Sequence, residues 1–266
     1  MIDVHGADCK FWKFPTGEFG VQVNSLYPYK AVTIGWDYEN DGEILHIANI
    51  VNAVRNLTEH VEIVLDIPYL PYSRQDRVCA KGESFSLKVL ADIINSLKFD
   101  AVYTDDAHNT EVACELIKNL VVNSQSSCAN YLSWYDYDLY IAPDNGAALK
   151  IKDHRAVVNG TSKVLILSKT RKDGRIIYDD LTPEAMAMLA QSAKAVVVDD
   201  IGDGMGTFIA LAENLKKSGV KLPVLDLYVT HGFFTKGDDI LKPYYNRVLV
   251  RNLKNKNVDP DFVQSI

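Results

Sequence analysis

One stretch, residues 195–217, constrains the fold most strongly because it joins an apolar strand, an acidic loop and a helix. Residues 195–198 (Ala-Val-Val-Val) form a short β-branched run, which is typical of an inner strand of a parallel sheet. Residues 208–217 are predicted to form a helix that is capped by the Thr207 side chain. Strand, glycine-containing turn and helix in this order indicate an α/β fold with a parallel sheet, where ligands bind beyond the carboxyl ends of the strands.

The loop of this stretch carries two kinds of group that suit a phosphorylated sugar. Asp199 and Asp200 follow the strand and could hold sugar hydroxyls, with Mg²⁺ offsetting their charge. Gly202, Gly204 and Gly206 allow the backbone to come close to a ligand, and backbone N–H groups of such a turn hold phosphate. The loop lacks the Gly-Lys-Ser/Thr of a Walker P-loop, so no lysine of the loop itself meets the phosphate. The alternative is an acidic turn that merely precedes a capped helix.

Composition excludes several broad classes of function. The 266 residues carry a net charge of −7, with a pI of about 5.4, which argues against a general nucleic-acid partner. No run reaches the roughly 18 apolar residues of a transmembrane helix, and the first residues do not resemble a signal peptide. The four cysteines show no C-x-x-C spacing and are expected to be reduced thiols in a cytoplasmic protein.

Predicted strands and helices alternate on both sides of a polar segment, residues 123–130 (Asn-Ser-Gln-Ser-Ser-Cys-Ala-Asn). This alternation predicts two doubly wound parallel-sheet α/β domains, residues 1–125 and 126–266, with the polar segment as the linker. Residues 230–234 are predicted to form a turn after one strand, and residues 246–250 the last strand. Each predicted strand end is therefore a place to search for ligand-binding side chains.

Charged side chains do follow several of these strand ends. Arg74 and Arg77 follow the strand at 61–67, His108 follows that at 100–104, and Asp144 follows that at 139–142. Residues 168–175 contain four cations and are predicted to form a mobile, phosphate-facing loop that returns as a β-ribbon at 176–178. Without a ligand, the same residues could form solvated loops, and the group around His108 could cap a helix at 109–119.

Taken together, the motifs resemble the ribose-phosphate pyrophosphokinase (PRPP synthetase) family over about residues 14–250. The strongest match is residues 68–77, Pro-Tyr-Leu-Pro-Tyr-Ser-Arg-Gln-Asp-Arg. Further matches, in the family's order, are Phe-Pro-Thr-Gly-Glu at 14–18, Asp-Ala-His at 106–108, Pro-Asp-Asn-Gly at 143–146, Ser-Lys-Thr-Arg at 168–171, Asp-Gly-Met-Gly-Thr at 203–207 and Thr-His-Gly-Phe-Phe at 230–234. The resemblance implies two domains of the type I phosphoribosyltransferase-like fold.

The resemblance also implies roles for particular residues. ATP would be bound by one group of side chains, across a subunit interface, so a homo-oligomer is implied: Phe14, Glu18, Arg74, Gln75, Arg77 and His108. Lys169, Arg171 and His108 would be catalytic, and His108, Asp144, Asp199 and Asp200 would hold Mg²⁺. The ribose and 5′-phosphate of the acceptor would lie on Asp199, Asp200, Asp203, Gly204, Met205, Gly206 and Thr207.

The implied reaction transfers the β,γ-diphosphoryl group of ATP to the anomeric hydroxyl of a ribose 5-phosphate unit and releases AMP. Positioning, Mg²⁺ and cations can stabilise the transition state without a covalent intermediate. A phosphoribosyltransferase that uses PRPP, and a catalytically silent regulatory homologue, remain the alternatives. The first needs no ATP site, and the second would not need the retained Lys169, Arg171 and paired aspartates.

Four residues depart from the family's pattern. Thr16 and Thr170 replace an aspartate and an arginine. In the phosphate loop, Gly204 replaces a threonine whose hydroxyl would bind the 5′-phosphate, and Met205 brings a long, flexible side chain where the family has a glycine. We therefore expect one of two acceptors, either ribose 5-phosphate in PRPP synthesis or ADP-ribose, a 5′-phosphate that continues into a larger group, in NAD salvage.

Overall fold

The computed structural model describes residues 1–28, 31–58, 60–172 and 174–266. The chain divides into two compact units, Met1–Asn123 and Ser124–Ile266. Both are built on parallel sheets with helical connections, so the predicted α/β class is confirmed. No helix in the described parts of the chain has the length and hydropathy needed to cross a membrane.

The first unit contains a five-stranded sheet and a separate β-hairpin. Its elements are β1 (Ile2–His5), β2 (Ala7–Lys13), β3 (Phe19–Leu26), β4 (Ala31–Trp36), α1 (Glu43–Leu57), β5 (Glu62–Asp66), α2 (Ser86–Ser96), β6 (Ala101–Asp105), α3 (Thr110–Leu116) and β7 (Leu120–Asn123). The sheet order is β1-β4-β5-β6-β7; β4 to β7 are parallel and β1 is antiparallel to β4. The strands β4 to β7 follow one another in a single direction, so the carboxyl ends of β5 and β6 are adjacent.

The core of the first unit follows from residue spacing. Val32 and Ile34 alternate with half-buried residues in β4, as expected for one face of a strand. Ile47, Ile50 and Val54 lie three and four residues apart and bury one face of α1. Helix α3 is capped by Asn109, whose side-chain oxygen accepts a hydrogen bond from the Val112 N–H, and it ends earlier than predicted because β7 follows.

The second unit contains a six-stranded sheet and a two-stranded ribbon. Its elements are α4 (Gln125–Cys128), a 3₁₀ turn (Asn130–Trp134), β8 (Leu139–Ala142), α5 (Asn145–Ile151), α6 (Arg155–Val158), β9 (Lys163–Ile166), β10 (Lys169–Lys172), β11 (Arg175–Tyr178), α7 (Pro183–Gln191), β12 (Lys194–Gly202), α8 (Gly206–Lys217), β13 (Val224–Gly232), β14 (Val248–Leu253) and β15 (Val263–Ser265). The sheet order is β15-β14-β13-β12-β8-β9, all parallel. The direction of strand succession reverses between β8 and β12, which creates a topological switch point at their carboxyl ends.

Several predicted boundaries in this unit are wrong. The division between the two units does fall within the polar segment at 123–130, but this segment is not an open linker, since it contains α4, capped by the Ser124 side chain. The cationic segment begins as a strand, β10, rather than as a loop. Residues 230–232 belong to β13 and do not form a turn, because they pair with β12 and β14.

The start of α8 also differs from the prediction. The helix begins at Gly206, and Met205 occupies the N-cap position with a left-handed backbone (φ 59°). No side chain caps this end, so the predicted role of Thr207 as a helix cap is wrong. Strand β12 is longer than predicted and includes Asp199 and Asp200. The turn between β12 and α8 is therefore short and held by backbone geometry.

Candidate functional site

The switch point of the second unit brings together the first pair of predicted site residues. Asp144 follows β8 and caps α5, where its Oδ1 accepts a hydrogen bond from the Ala147 N–H at 2.9 Å. Its Oδ2 lies 2.8 Å from Nζ of Lys169, the first residue of the β10–β11 ribbon. Burial alone would raise the pKa of Asp144, but the hydrogen bonds from Lys169 and Ala147 hold this pKa below its usual value. The Asp144 carboxylate is therefore charged near neutral pH.

The two carboxylates of β12 lie in different surroundings. Asp200 is buried, and its Oδ2 lies 3.2 Å from Lys150 Nζ on α5. Asp199 is half-buried, and its Oδ1 accepts a hydrogen bond from the Asp200 N–H at 2.9 Å. Removal from water and the neighbouring charge of Asp200 raise the pKa of Asp199 well above its usual value. This edge thus holds one carboxylate that is paired with a lysine and one that is more basic than a free aspartate.

Lys150 is a site residue that the sequence did not reveal. It lies in the last turn of α5, whereas Asp144 caps the first turn, so one short helix carries both side chains. A pairing of residues 50 positions apart in the sequence leaves no local pattern. The sequence indicated a role for Lys150 in the site only through its position on a helix that starts at the same sheet edge.

The ribbon presents its cations alternately to its two faces. Lys169 and Arg171 are two residues apart in β10, so they share one face, while Thr170 and Lys172 lie on the other. Arg171 is exposed, whereas Lys169 is held by Asp144. The two predicted catalytic cations therefore lie side by side on one surface.

A buried tyrosine completes this surface. Tyr178 in β11 lies directly opposite Lys169 in the ribbon and is 7% exposed. Its hydroxyl has no hydrogen-bond partner among the described residues. Burial, together with the charges of Asp199 and Asp144, raises the pKa of Tyr178, so its hydroxyl stays protonated.

The turn before α8 has the properties of an anion site. Within the described chain, no acceptor is found for the backbone N–H groups of residues 204–207, which lie at the positive end of a 12-residue helix. The turn packs against the segment after β13: Thr235 Oγ1 donates to Asp203 Oδ1 at 2.7 Å, and the Lys236 side chain lies beside Gly204. A Cβ placed on Gly204 would be 3.6 Å from Cε of Lys236. A lysine does therefore accompany this loop, but it comes from a distant part of the sequence.

Met205 is placed differently from what the sequence indicated. Its side chain is 2% exposed and packs in the core of the second unit, where it approaches Gly202. It is not a flexible group at the mouth of the site. The remaining loop residues are accessible: Gly206 is exposed, and Asp203, Gly204 and Thr207 are partly exposed.

In the first unit, two neighbouring strand ends carry the other predicted residues. Arg74, Gln75 and Arg77 lie in the loop after β5 and are exposed. His108 lies in the loop after β6 and is exposed too. The loops are joined by a hydrogen bond of 2.6 Å from the Asn109 side-chain N–H to Asp76 Oδ2. The arginines and the histidine thus belong to one continuous edge of the first sheet.

Phe14 and Glu18 lie at the turn of the β2–β3 hairpin, both exposed. The turn is closed by a backbone hydrogen bond from the Phe14 N–H to the Glu18 carbonyl at 2.8 Å, and Thr16 Oγ1 donates to Glu18 Oε2 at 2.6 Å. The hairpin therefore presents an aromatic ring and a carboxylate at one tip. Their contact with ATP stays a prediction.

The donor set can be compared with what Mg²⁺ requires. Among the described residues, no three side chains of His, Cys, Asp or Glu converge on one point. Mg²⁺ commonly uses only one or two carboxylates, and substrate phosphates and water complete its octahedron. Asp144, Asp199 and Asp200 offer such oxygens in the second unit. His108 belongs to the first unit, so its joint role with Asp144 stays a prediction.

Comparisons with known proteins agree on one family. Residues 1–97 match a family model described as the N-terminal domain of ribose phosphate pyrophosphokinase. The chain is 29% identical over 229 residues to a ribose-phosphate pyrophosphokinase of Pyrococcus abyssi, which covers 85% of this chain and 76% of the relative. It is 28% identical over 220 residues to ribose-phosphate pyrophosphokinase 2 of Archaeoglobus fulgidus, with coverage of 83% and 74%.

A solved structure has the same fold. Phosphoribosylpyrophosphate synthetase from Mycobacterium smegmatis superposes with a TM-score of 0.74 at 16% identity. The superposition covers 98% of this chain and 86% of that one. At this level of identity the likeness concerns the fold, including its two parallel-sheet halves.

Proposed function

The chain belongs to the ribose-phosphate pyrophosphokinase family, and we propose that it transfers the β,γ-diphosphoryl group of ATP to the anomeric hydroxyl of ribose 5-phosphate. The products are AMP and a ribose 5-phosphate 1-diphosphate, which serves nucleotide biosynthesis. The proposal depends most on one observation: Lys169, Asp144, Asp199 and Asp200 lie at the switch point of a parallel sheet, beside a turn with free backbone N–H groups.

The chemistry asks for cations around the moving phosphorus and for oxygens around the sugar. The anomeric oxygen forms a bond to the β-phosphorus while the bond from that phosphorus to the bridging oxygen of AMP breaks. Lys169 and Arg171 share a face and would stabilise the charge on the transferred group. Burial and the neighbouring charge of Asp200 raise the pKa of Asp199, which would accept the proton of the anomeric hydroxyl.

Mg²⁺ is the cofactor that this donor set suits best. Asp144, Asp199 and Asp200 would hold it together with substrate phosphates, and it would neutralise charge on the ATP oxygens. Asp144 and Asp200 are already paired with Lys169 and Lys150, respectively. We therefore expect either lysine to be displaced when its carboxylate takes part in metal binding.

Ribose 5-phosphate is favoured over ADP-ribose as the acceptor. The Met205 side chain was expected to face a larger 5′ group, but it is buried. The backbone N–H groups of residues 204–207 suit a terminal phosphate dianion, and Lys236 would add a cation beside it.

The nucleotide would be bound by the first unit, on the edge that carries Arg74, Gln75, Arg77 and His108. These side chains are exposed, as are Phe14 and Glu18 on the hairpin. An ATP site formed across two subunits, with the hairpin contributed by one of them, would cover these surfaces. The enzyme is accordingly proposed to act as a homo-oligomer.

The direct test is to incubate the protein with Mg²⁺ and ATP and to separate AMP from ADP by ion-exchange chromatography. Parallel reactions contain ribose 5-phosphate, ADP-ribose or no acceptor. We expect AMP to form with ribose 5-phosphate only. AMP formation with ADP-ribose alone would overturn the choice of acceptor, and no AMP with either would overturn the proposed reaction.

The same material tests the phosphoribosyltransferase alternative. Such an enzyme consumes PRPP and needs no ATP, so Arg74→Ala and Arg77→Ala would leave its turnover intact. We expect both variants to raise the KM for ATP instead, because their guanidinium groups would contact the nucleotide.

A further inference from the structure

Tyr178 is a buried polar group that the proposed reaction does not yet use. Its side chain is 7% exposed and packs in the core of the second unit, in the cluster that includes Phe208 of α8. Its hydroxyl has no hydrogen-bond partner among the described residues. A buried donor without an acceptor costs free energy, so an unused hydroxyl at this position calls for a physical reason.

The position of Tyr178 narrows the possible acceptors. It lies directly opposite Lys169 in the antiparallel ribbon, and side chains of directly opposed residues lie on the same face. Lys169 on that face contacts Asp144. Each oxygen of Asp144 already accepts a hydrogen bond, Oδ1 from the Ala147 N–H and Oδ2 from Lys169. Asp144 therefore has less unused accepting capacity than a carboxylate with an unbonded oxygen.

Asp199 is the carboxylate that can still accept. Its Oδ1 is bonded to the Asp200 N–H, but its Oδ2 has no partner in the described part of the chain. An unused donor and an unused acceptor oxygen thus occur at one edge of the sheet. Asp200 does not compete in the same way, since Lys150 holds it.

We propose that Tyr178 is a positioning residue that donates a hydrogen bond to Oδ2 of Asp199 once the acceptor is bound, and so orients this carboxylate toward the ribose hydroxyls. The assignment rests on the proposed function, because it assumes a ribose at Asp199. It requires a rotation of the Asp199 side chain, since the bond is not made in the free protein. The tyrosine itself does not contact the substrate.

The test is Tyr178→Phe, which removes one oxygen and keeps the ring. We expect the melting temperature to stay the same or rise, because no hydrogen bond is lost in the free protein. The KM for ribose 5-phosphate should rise about tenfold, the size of one lost hydrogen bond, while the KM for ATP stays unchanged. Tyr245→Phe is the matched stability control, since the Tyr245 hydroxyl donates to the Phe208 carbonyl at 2.8 Å and its loss should lower the melting temperature.

Discrimination between ribose 5-phosphate and its 2-deoxy analogue separates an effect on the orientation of Asp199 from an effect on the packing of the core. In the wild-type enzyme, 2-deoxyribose 5-phosphate should be a poorer substrate than ribose 5-phosphate, because it lacks a hydroxyl that Asp199 would bind. If Tyr178 orients Asp199, this discrimination should shrink about tenfold in Tyr178→Phe. Tyr140→Phe, which changes another buried tyrosine of the same unit, should leave it unchanged.

Two results would overturn the assignment. One is a Tyr178→Phe enzyme with wild-type KM values and unchanged discrimination against the deoxy sugar. The other is a loss of activity that accompanies an equal loss of stability. If the wild-type protein releases no AMP, the proposed reaction fails, and Tyr178 is then tested by calorimetric binding of ribose 5-phosphate and its 2-deoxy analogue to both proteins. Equal affinities of both proteins for both sugars would reject the role of Tyr178.

Discussion

The two sheet edges that carry the predicted residues differ in how far their side chains are buried. In the second unit, Lys169 and Asp144 are paired, Lys150 holds Asp200, and Asp199 is half-buried. In the first unit, Arg74, Arg77 and His108 are exposed. One edge therefore holds its charged groups in ion pairs, whereas the other presents exposed side chains that a ligand or a partner would cover.

The largest effect that separates the two edges is expected at Lys169. Lys169→Ala should lower kcat by about 10²–10³, as expected for the loss of a group that stabilises transition-state charge. Lys172→Ala is the control, since it removes the same charge from the opposite face of β10. Steady-state kinetics check both. Equal losses in the two variants would show that only the charge of the ribbon matters.

Acid should reveal a second difference between the units. Burial lowers the pKa of His154 in the second unit to about 4. The unfolded chain binds a proton there below about pH 6.5, whereas the folded chain binds it only near pH 4. The second unit should therefore lose up to roughly 3 kcal/mol as the pH falls from about 6.5 to about 4. His154→Gln should remove this loss.

In the first unit, the corresponding group is Glu43. Burial alone would raise its pKa, but hydrogen bonds from the N-terminal amine, the Glu39 N–H and Trp36 hold the pKa of Glu43 below its usual value. Its stabilising contribution is present above about pH 4.3 and is lost as the pH falls through the lower folded value. Hydrogen exchange followed by mass spectrometry should show the second unit opening at a higher pH than the first. The reverse order would contradict this assignment.

A smaller effect is expected on the exposed edge of the first unit. Arg77→Ala should raise the KM for ATP about tenfold, the size of one charged hydrogen bond, with no change in the melting temperature. Lys88→Ala is the control, because it removes an exposed cation on α2 that is paired with Asp92. Unfolding of the Arg77 variant at lower temperature would mean that this edge supports the fold as well.

The smallest effect concerns the turn before α8. Thr207→Ala should change the free energy of unfolding by less than about 0.5 kcal/mol, because the Thr207 side chain does not cap the helix. Thr182→Ala should cost about 1 kcal/mol, since the Thr182 side chain accepts a hydrogen bond from the Ala185 N–H at the start of α7. Urea unfolding of both variants measures the difference. A similar cost in both would restore the capping role of Thr207.

The sequence predicted elements best where one local pattern decided the conformation. Strand β8 has the predicted bounds, because an apolar run defines it. The predicted ends of β12 and β13 were wrong, because charged or polar residues extend both strands. Pairing with neighbouring strands outweighs the low strand propensity of residues such as aspartate.

The candidate site shows the same limit. Asp144 could be singled out because it follows a predicted strand, at an edge where parallel strands end, and Lys169 because it lies among the four cations of residues 168–175. Lys150, Tyr178 and Lys236 could not, because their proximity to the site depends on helix phase, ribbon register and the packing of a distant loop. The sequence suggested that the Met205 side chain lies at the surface. Its left-handed backbone turns this side chain into the core, and that backbone conformation could not be predicted from the sequence.

The most direct test of the account is a ³¹P NMR spectrum of the protein with Mg²⁺, ATP and ribose 5-phosphate. Transfer of an intact diphosphoryl group predicts AMP and a sugar 1-diphosphate in equal amounts, with two coupled resonances for the new diphosphate and no ADP. Formation of ADP together with a ribose 1,5-bisphosphate, or an ATP spectrum that does not change, would contradict the account.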